Sequence, residues 1–173
     1  MKRNILTLII AVFALMQAAA QTYDNLWKQA DIIARKDQPR SEIGVMKKII
    51  SKASAAKDYG QLLAAEMRQM ILWKEISADS LTPNVERMEA EVLKVKDPAL
   101  KAVRYAVLGK VYSDMDEKKS QEFFKKALEQ PELLAKHTST EYVPLTLKGV
   151  DGSSFNNDLL HLIGFEADSK EAY

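Results

Sequence analysis

The sequence contains no cysteine among its 173 residues. This absence excludes disulfides, thiolate metal sites, cysteine nucleophiles, thioester chemistry and a lipid-modified N-terminal cysteine. It has six glycines and two histidines, and no phosphate loop, dinucleotide-binding fingerprint or Gly-x-Ser-x-Gly elbow is found in it. The formal net charge is +1, so no strong overall field favours nucleic acid or an anionic membrane.

The first twenty residues have the composition of an export signal. Lys2 and Arg3 precede an apolar run over residues 5–16, which is short for a membrane span, and three alanines precede Gln21. We therefore predict a signal peptide over residues 1–20 and a mature chain in the periplasm or outside the cell, with no stable membrane span after cleavage. The alternatives are a buried N-terminal helix or a membrane anchor. Without Lys2 and Arg3, the mature chain is close to neutral.

Apolar residues recur at helical spacing as far as Gln130, without an alternating strand pattern. The predicted helices span residues 22–36, 40–56, 59–76, 82–96, 97–115 and 120–131. This pattern indicates an all-α fold of about six antiparallel helices in tetratricopeptide-like hairpins. We place this helical-hairpin domain at residues 21–131. Residues 132–173 are predicted as an irregular segment with one short helix ending near Gly164, and as the start of a further region.

The last helix pair matches the tetratricopeptide motif best, whereas the earlier pairs match poorly and indicate a degenerate repeat. The matching residues are Tyr105, Leu108, Gly109, Tyr112, Ser120, Phe124 and Ala127. We expect Gly109 and Ala127 to permit close helix approach and the aromatic residues to fill the remaining space. Gly44 is expected to mark another close approach, and the third helix is expected to be the most buried.

No residue is predicted to be catalytic, to bind a cofactor or to bind a metal. His137 and His161 have no partner at metal-ligand spacing, and His161 is expected to be a hydrogen-bonded structural residue. The polar cluster at residues 151–158 fits no calcium loop, and Asn157 or Asp158 is expected to cap the last helix. A hydrolase site around Ser153 and His161 is the third functional hypothesis, although no convincing base accompanies the serine.

The remaining charged and large apolar residues are predicted to have structural positions. Three acidic residues of the fourth helix are expected to form a solvated face, and the lysine pairs are scattered and matched by acids, which argues against nucleic-acid binding. The aromatic residues and most of the methionines stand at helical core spacing. These residues are Glu86, Glu89, Glu91, Lys47, Lys48, Lys118, Lys119, Lys125, Lys126, Trp27, Trp73, Phe123, Phe124, Met46, Met67, Met70, Met88 and Met115.

Two parts of the chain resemble a known family. The first comprises residues 23–30 (YDNLWKQA), 36–41 (KDQPRS) and 49–53 (IISKA); the second is residues 155–164 (FNNDLLHLIG). In this order behind a signal peptide, they resemble the N-terminal helical region of large bacterial alpha-2-macroglobulin-like proteins. The resemblance covers most of the mature chain, and its motifs are packing motifs.

The resemblance implies an exported module from a protease-trapping or envelope-defence protein. Members of the family continue into β-sandwich macroglobulin domains, and many use a cysteine-dependent thioester that this chain lacks. We therefore predict a non-enzymatic protein-interaction or structural module, a fragment of such a protein. Its partner would be the downstream macroglobulin domains or an envelope protein. The alternative is a self-contained exported tetratricopeptide-like adaptor that binds a peptide or an envelope protein.

Overall fold

The structure is a computed structural model that describes residues 22–146 and 157–168. This part of the chain forms eight α-helices, one 3-10 helix and no β-strand, which confirms the predicted all-α array. The α-helices are α1 Tyr23–Ala34, α2 Pro39–Ala56, α3 Tyr59–Ile76, α4 Ala78–Val92, α5 Pro98–Tyr112, α6 Glu117–Ala127, α7 Pro131–Leu134 and α8 Leu159–Asp168; the 3-10 helix is Ser139–Tyr142.

Side-chain caps determine where several helices begin. Thr22 accepts a hydrogen bond from the backbone of Asn25, and Asp58 and Asp97 cap α3 and α5 in the same way. Asp116 caps α6 through the backbone N–H of Lys119. Each cap satisfies a backbone donor that has no partner within its helix. The α6 cap starts that helix three residues before the predicted start at residue 120.

The predicted start of the fourth helix at residue 82 was wrong, because α4 begins at Ala78 and contains Pro83 in its interior. The early start allows Leu81 to be buried, with 4 % of its surface exposed. Pro83 is the sixth residue of the helix and lacks the backbone N–H that would donate to the carbonyl oxygen of Asp79. The helix also ends at Val92 instead of residue 96. Leu93, which lies within the predicted helix but beyond its observed end, is 70 % exposed.

The fifth helix is shorter than predicted. It ends at Tyr112, where the carbonyl oxygen accepts hydrogen bonds from the backbone of Met115 and Asp116 in the following turn. Met115 therefore leaves the apolar stripe and is 40 % exposed, contrary to its predicted core position. α6 ends at Ala127, before Pro131, and Pro131 instead occupies the first turn of α7.

Gly109 of α5 permits the close packing of α6, as predicted. A Cβ atom at Gly109 would lie 2.8 Å from the ring of Phe124. The hydroxyl of Ser120 donates a 2.7 Å hydrogen bond to the carbonyl oxygen of Gly109, and Ser120 is fully buried. Tyr105 and Tyr112 stack on Phe123, the neighbour of Phe124, with centroids 6.1 and 5.5 Å away. Small residues and stacked rings thus hold α5 and α6 together.

Two other packing expectations were wrong. A Cβ atom at Gly44 would meet nothing within 4 Å, so this glycine marks no close approach. Gly60 marks a close approach instead, because a Cβ atom there would overlap the backbone carbonyl of Val143. The most buried helix is α5, with nine buried residues of fifteen, rather than α3, with eight of eighteen. Helix α5 is more buried because it packs against α3, α4, α6 and α8.

The C-terminal elements pack onto the helical array. Leu134, Tyr142, Leu159 and Ile163 share a hydrophobic cluster with Val103 of α5. An isolated antiparallel bridge joins Thr138 to Asp158. The last helix extends to Asp168, beyond its predicted end near residue 164, since Gly164 continues the helix. The division into domains at residue 131 stays a prediction, and residues 1–20 lie outside the described residues.

Within the described residues, no helix combines the length and the apolar character needed to cross a membrane.

Replacing Gly109 by valine should destabilise the protein by about 1–3 kcal/mol, since the added side chain would overlap Phe124. Chemical denaturation monitored by circular dichroism measures the change. Gly44→Ala is the matched control, because open space surrounds Gly44 and alanine should stabilise α2 by about 0.5–1 kcal/mol. Equal effects of the two substitutions would contradict the packing role of Gly109.

Candidate functional site

The described part of the chain has a groove with a largely apolar lining between α3 and α5. We call it the α3–α5 groove. Asp58 and Asp97 set the starts of the two helices, whose inner faces lie side by side. Met67 and Lys110 lie in the middle of the groove and border both of its halves.

One half of the groove, the α8 half, is largely covered by α8. About 150 Å³ of space remains there. Its lining comprises Met67, Val103, Ala106, Val107, Lys110, Phe124, Leu145, Thr146, Leu159, Leu162, Ile163 and Glu166. Leu159 and Ile163 are buried, and the ammonium of Lys110 lies 2.6 Å from the carboxylate of Glu166. An apolar helix that carries a carboxylate thus covers much of this half.

The other half, the open half, has about 440 Å³ of space that no described segment fills. It is lined by Met67, Met70, Ile71, Lys74, Leu81, Lys110, Val111, Ser113 and Asp114. Ile71 is 43 % exposed, although it belongs to the helix that was expected to be the most buried. Met67 and Val111 are half-buried. The floor is therefore apolar and partly accessible to solvent.

The charges at the rim of the open half are paired with each other. The ammonium of Lys74 lies 3.1 Å from the carboxylate of Asp114, with side-chain exposures of 52 % and 71 %. Such exposed pairs contribute little to stability and exchange partners easily. Lys74 can therefore bind a different carboxylate at a small energetic cost.

A buried ion pair also joins α3 to α5, the two helices that line the groove. Arg104 lies 3.3 Å from the carboxylate of Glu66, and Glu66 is 3 % exposed. Arg104 also approaches Glu91 of α4 at 4.0 Å, and Glu91 pairs with Arg87 at 2.8 Å. Burial raises the pKa of Glu66, and the nearby guanidinium of Arg104 opposes that rise. These charges connect the two helices that line the groove with α4.

A second buried carboxylate joins α2 to α3. Glu42 is 2 % exposed and accepts a 2.7 Å hydrogen bond from Nε of Arg68. The residue pattern did not predict either buried pair, because only the acidic residues of the fourth helix and the lysine pairs were considered. The signal that could have revealed them is the position of Glu42 and Glu66 next to core residues within their helices.

The acidic residues of α4 are only partly solvated, contrary to the predicted solvated face. Glu86 is exposed as expected. Glu89 accepts a hydrogen bond from the hydroxyl of Tyr112 and pairs with Lys119 at 3.4 Å, and Glu91 belongs to the buried network. Burial and the Glu89 hydrogen bond raise the pKa of Tyr112. These carboxylates therefore join helices.

His161 is hydrogen-bonded, as expected, but half of its side chain is exposed. Its Nδ1 lies 2.8 Å from Asp158, whose carboxylate also accepts a 2.9 Å hydrogen bond from the backbone N–H of His161. Asp158 therefore caps α8, which confirms the predicted cap. Ser153 and Ser154 lie outside the described residues, as do Asp151, Gly152 and Asn156.

His137 lies next to Thr138, which bridges Asp158 at the start of α8. Its Nδ1 is 3.0 Å from Glu141, and Glu141 also accepts a 2.8 Å hydrogen bond from the backbone N–H of Thr138. The hydrogen bond from His137 and that from Thr138 lower the pKa of Glu141. At Asp158, desolvation raises the pKa, but the hydrogen bonds from His161 lower it. The pKa of Asp158 is lowered overall. The residues that the structure describes contain no cluster of His, Asp and Glu able to hold a metal ion.

Most of the predicted core residues lie where their spacing placed them. Phe123 and Phe124 are buried, as are Met46, Met70 and Met88. Trp27 and Trp73 pack against the cluster formed by α1, α2 and α3. Met67 is half-buried and lines the groove instead.

Comparisons with models of protein families, with curated proteins and with solved structures found no match for this chain. The resemblance to alpha-2-macroglobulin-like proteins and the tetratricopeptide-like repeat stay predictions from the residues.

Replacing Arg104 by leucine should destabilise the protein by about 3–5 kcal/mol, because Glu66 would remain buried without a partner. Thermal and denaturant unfolding measure the loss. The double variant Arg104→Leu/Glu66→Leu should recover most of it, whereas Arg87→Leu should change stability by about 1 kcal/mol or less. A double variant as unstable as the single one would show that the stranded carboxylate is not the cause.

The same variant should respond to pH. Because burial raises the pKa of Glu66, the folded state binds a proton more readily than the unfolded state, and stability falls as pH rises from the ordinary carboxyl pKa of 4.5 through the raised value. Arg104→Leu removes the guanidinium that opposes this rise. The variant should therefore regain stability, relative to the parent protein, as pH is lowered from neutrality towards 4.5.

Replacing Asp158 by alanine should destabilise the start of α8 by about 1 kcal/mol at neutral pH. Since the pKa of Asp158 is lowered in the folded state, its contribution is present above the ordinary value of 3.8 and is lost as pH falls through the lowered value. Hydrogen exchange of residues 159–168 at several pH values measures this effect. Asp168→Ala, at the exposed C-terminal end of α8, should not accelerate exchange. An acceleration that persists at the lowest pH would contradict the cap.

Proposed function

We propose that the chain is a non-catalytic protein-interaction module that binds an apolar segment of a partner protein in the open half of the α3–α5 groove. The observation that carries this proposal is the partly exposed apolar floor formed by Met67, Ile71 and Val111. Burial of such a floor against a partner is favourable by roughly 25 cal/mol per Å² of apolar surface.

The shape and the side chains of the open half suit a protein segment. About 440 Å³ accommodates a few side chains of a helix or an extended strand. Met67 and Met70 line it, and flexible thioether side chains adapt to different apolar partners. Lys74 and Asp114 at the rim supply polar groups that can fix orientation.

The location and the larger context of this module are further parts of the proposal. Residues 1–20 support export to the periplasm or the cell exterior, and the stretches at residues 23–30 and 155–164 support a leader region of an alpha-2-macroglobulin-like protein. In that setting the groove would bind a downstream macroglobulin domain or an envelope protein.

The alternative is a self-contained exported adaptor of the tetratricopeptide-like kind. The contact of Gly109 with Phe124 favours it, because the motif places a small residue and an aromatic residue against each other at these positions. Both alternatives use a non-catalytic binding surface. The hydrolase hypothesis receives less support, since Asp158 and His161 are engaged in capping α8.

The proposal can be tested with a displayed library of random peptides that is selected on the full chain. Selected peptides should bind the Ile71→Asp variant at least about tenfold more weakly, because the carboxylate would interrupt the apolar floor. Ile71 is already partly exposed, so this substitution should leave the helical content and the melting temperature nearly unchanged.

Ile32→Asp is the matched control. Ile32 is 54 % exposed on α1 and does not line the groove, so this variant should bind the selected peptides like the parent protein. Failure to enrich any peptide, or equal binding to the Ile71→Asp variant, would contradict the proposal.

A further inference from the structure

α8 shows what kind of segment the α3–α5 groove accepts. Leu159 and Ile163, four residues apart, are buried against the array, and Glu166 follows one turn later with its carboxylate on Lys110. Residues at this spacing lie on one face of a helix. The α8 half therefore holds a helix with two apolar anchors and one acidic residue.

The end of α8 lies beside the open half of the groove. Glu166, near the C-terminal end of α8, pairs with Lys110. Lys110 also lines the open half, which extends to Asp114. The C-terminal part of α8 is therefore next to the surface that no described segment fills.

The open half resembles the α8 half in its chemistry. Met67 and Lys110 border both halves, each half has an apolar floor from α3 and α5, and the open half has a second lysine, Lys74, at its rim. Lys110 binds the carboxylate of Glu166 from α8. Lys74 binds the exposed carboxylate of Asp114 from the turn after α5.

We propose that the open half binds an acidic amphipathic helix of a partner protein, with apolar residues four apart on Ile71 and Val111 and a carboxylate that replaces Asp114 on Lys74. This inference rests on the proposed interaction function and adds the chemistry of the partner. The apolar residues supply most of the affinity, and Lys74 supplies selectivity for an acidic residue.

Asp114 competes with the partner in this arrangement. Its side chain is 71 % exposed and lies on the turn after α5. Removing its charge should leave Lys74 available to the incoming carboxylate without a loss of packing. Asp114→Asn should therefore strengthen binding of an acidic helix, and Lys74→Glu should weaken it.

The probe is a synthetic peptide with the sequence of residues 158–168, labelled with a fluorophore at its N-terminus and amidated, since this sequence carries the required pattern. Its binding to the full chain is measured by fluorescence anisotropy, with a second peptide in which the residue corresponding to Glu166 is glutamine. Asp114→Asn should tighten binding of the acidic peptide by about two- to fivefold, and Lys74→Glu should weaken it by a similar factor. Both effects should shrink with the glutamine peptide and at high salt.

Matched controls separate the groove from general effects. Lys28 is an exposed residue of α1. Lys28→Glu makes the same change of charge as Lys74→Glu and should leave binding unchanged. Ile71→Asp should weaken both peptides by at least about tenfold. Circular dichroism and melting temperature confirm that each variant is folded.

Several results would overturn the inference. If both peptides bind equally and respond to Ile71→Asp but not to the changes at Lys74 and Asp114, the groove is an interaction site without acidic selectivity. If neither peptide binds, the amphipathic helical pattern is wrong, even where unrelated library peptides bind the groove. Dimerisation of the parent chain that Ile71→Asp abolishes would show that a second copy occupies the groove.

Discussion

The close packing of α5 against its neighbours is the constraint on which the rest of the structure depends. Gly109 brings α6 within contact of the α5 backbone, and the buried hydroxyl of Ser120 bonds the carbonyl oxygen of Gly109. On its other sides α5 packs against α3, α4 and α8. Any shift of α5 would therefore disturb the core, the buried ion pair and the groove together.

The buried charges make the arrangement of α3, α4 and α5 specific. Sliding of α3 past α5 would separate Glu66 from Arg104 and leave a buried charge without its partner. Glu91 extends the network to α4, and Glu42 with Arg68 connects α2. The groove is thus built between helices whose relative positions are held by charge as well as by packing.

An open candidate binding surface exists because α8 covers only one half of the groove. α8 covers one half with Leu159 and Ile163, while Ile71 and Val111 stay accessible in the other half. The junction that holds α8 in place consists of the Thr138–Asp158 bridge and the carboxylate caps formed by Asp158 and Glu141. Local polar contacts therefore position the element that delimits the candidate binding surface.

The amino-acid sequence by itself determined the helices, most of their caps and the Gly109–Phe124 contact, because these depend on residues close together in the chain. Asp158 caps α8 as predicted, and Asp58 and Asp97 cap α3 and α5 through the same kind of local hydrogen bond. The tertiary structure alone decided the buried pair of Glu66 with Arg104, the exposure of Ile71 and the groove. These features depend on which helices pack against each other. Helical spacing predicts an apolar stripe on one helix, but it does not predict which other helix covers that stripe.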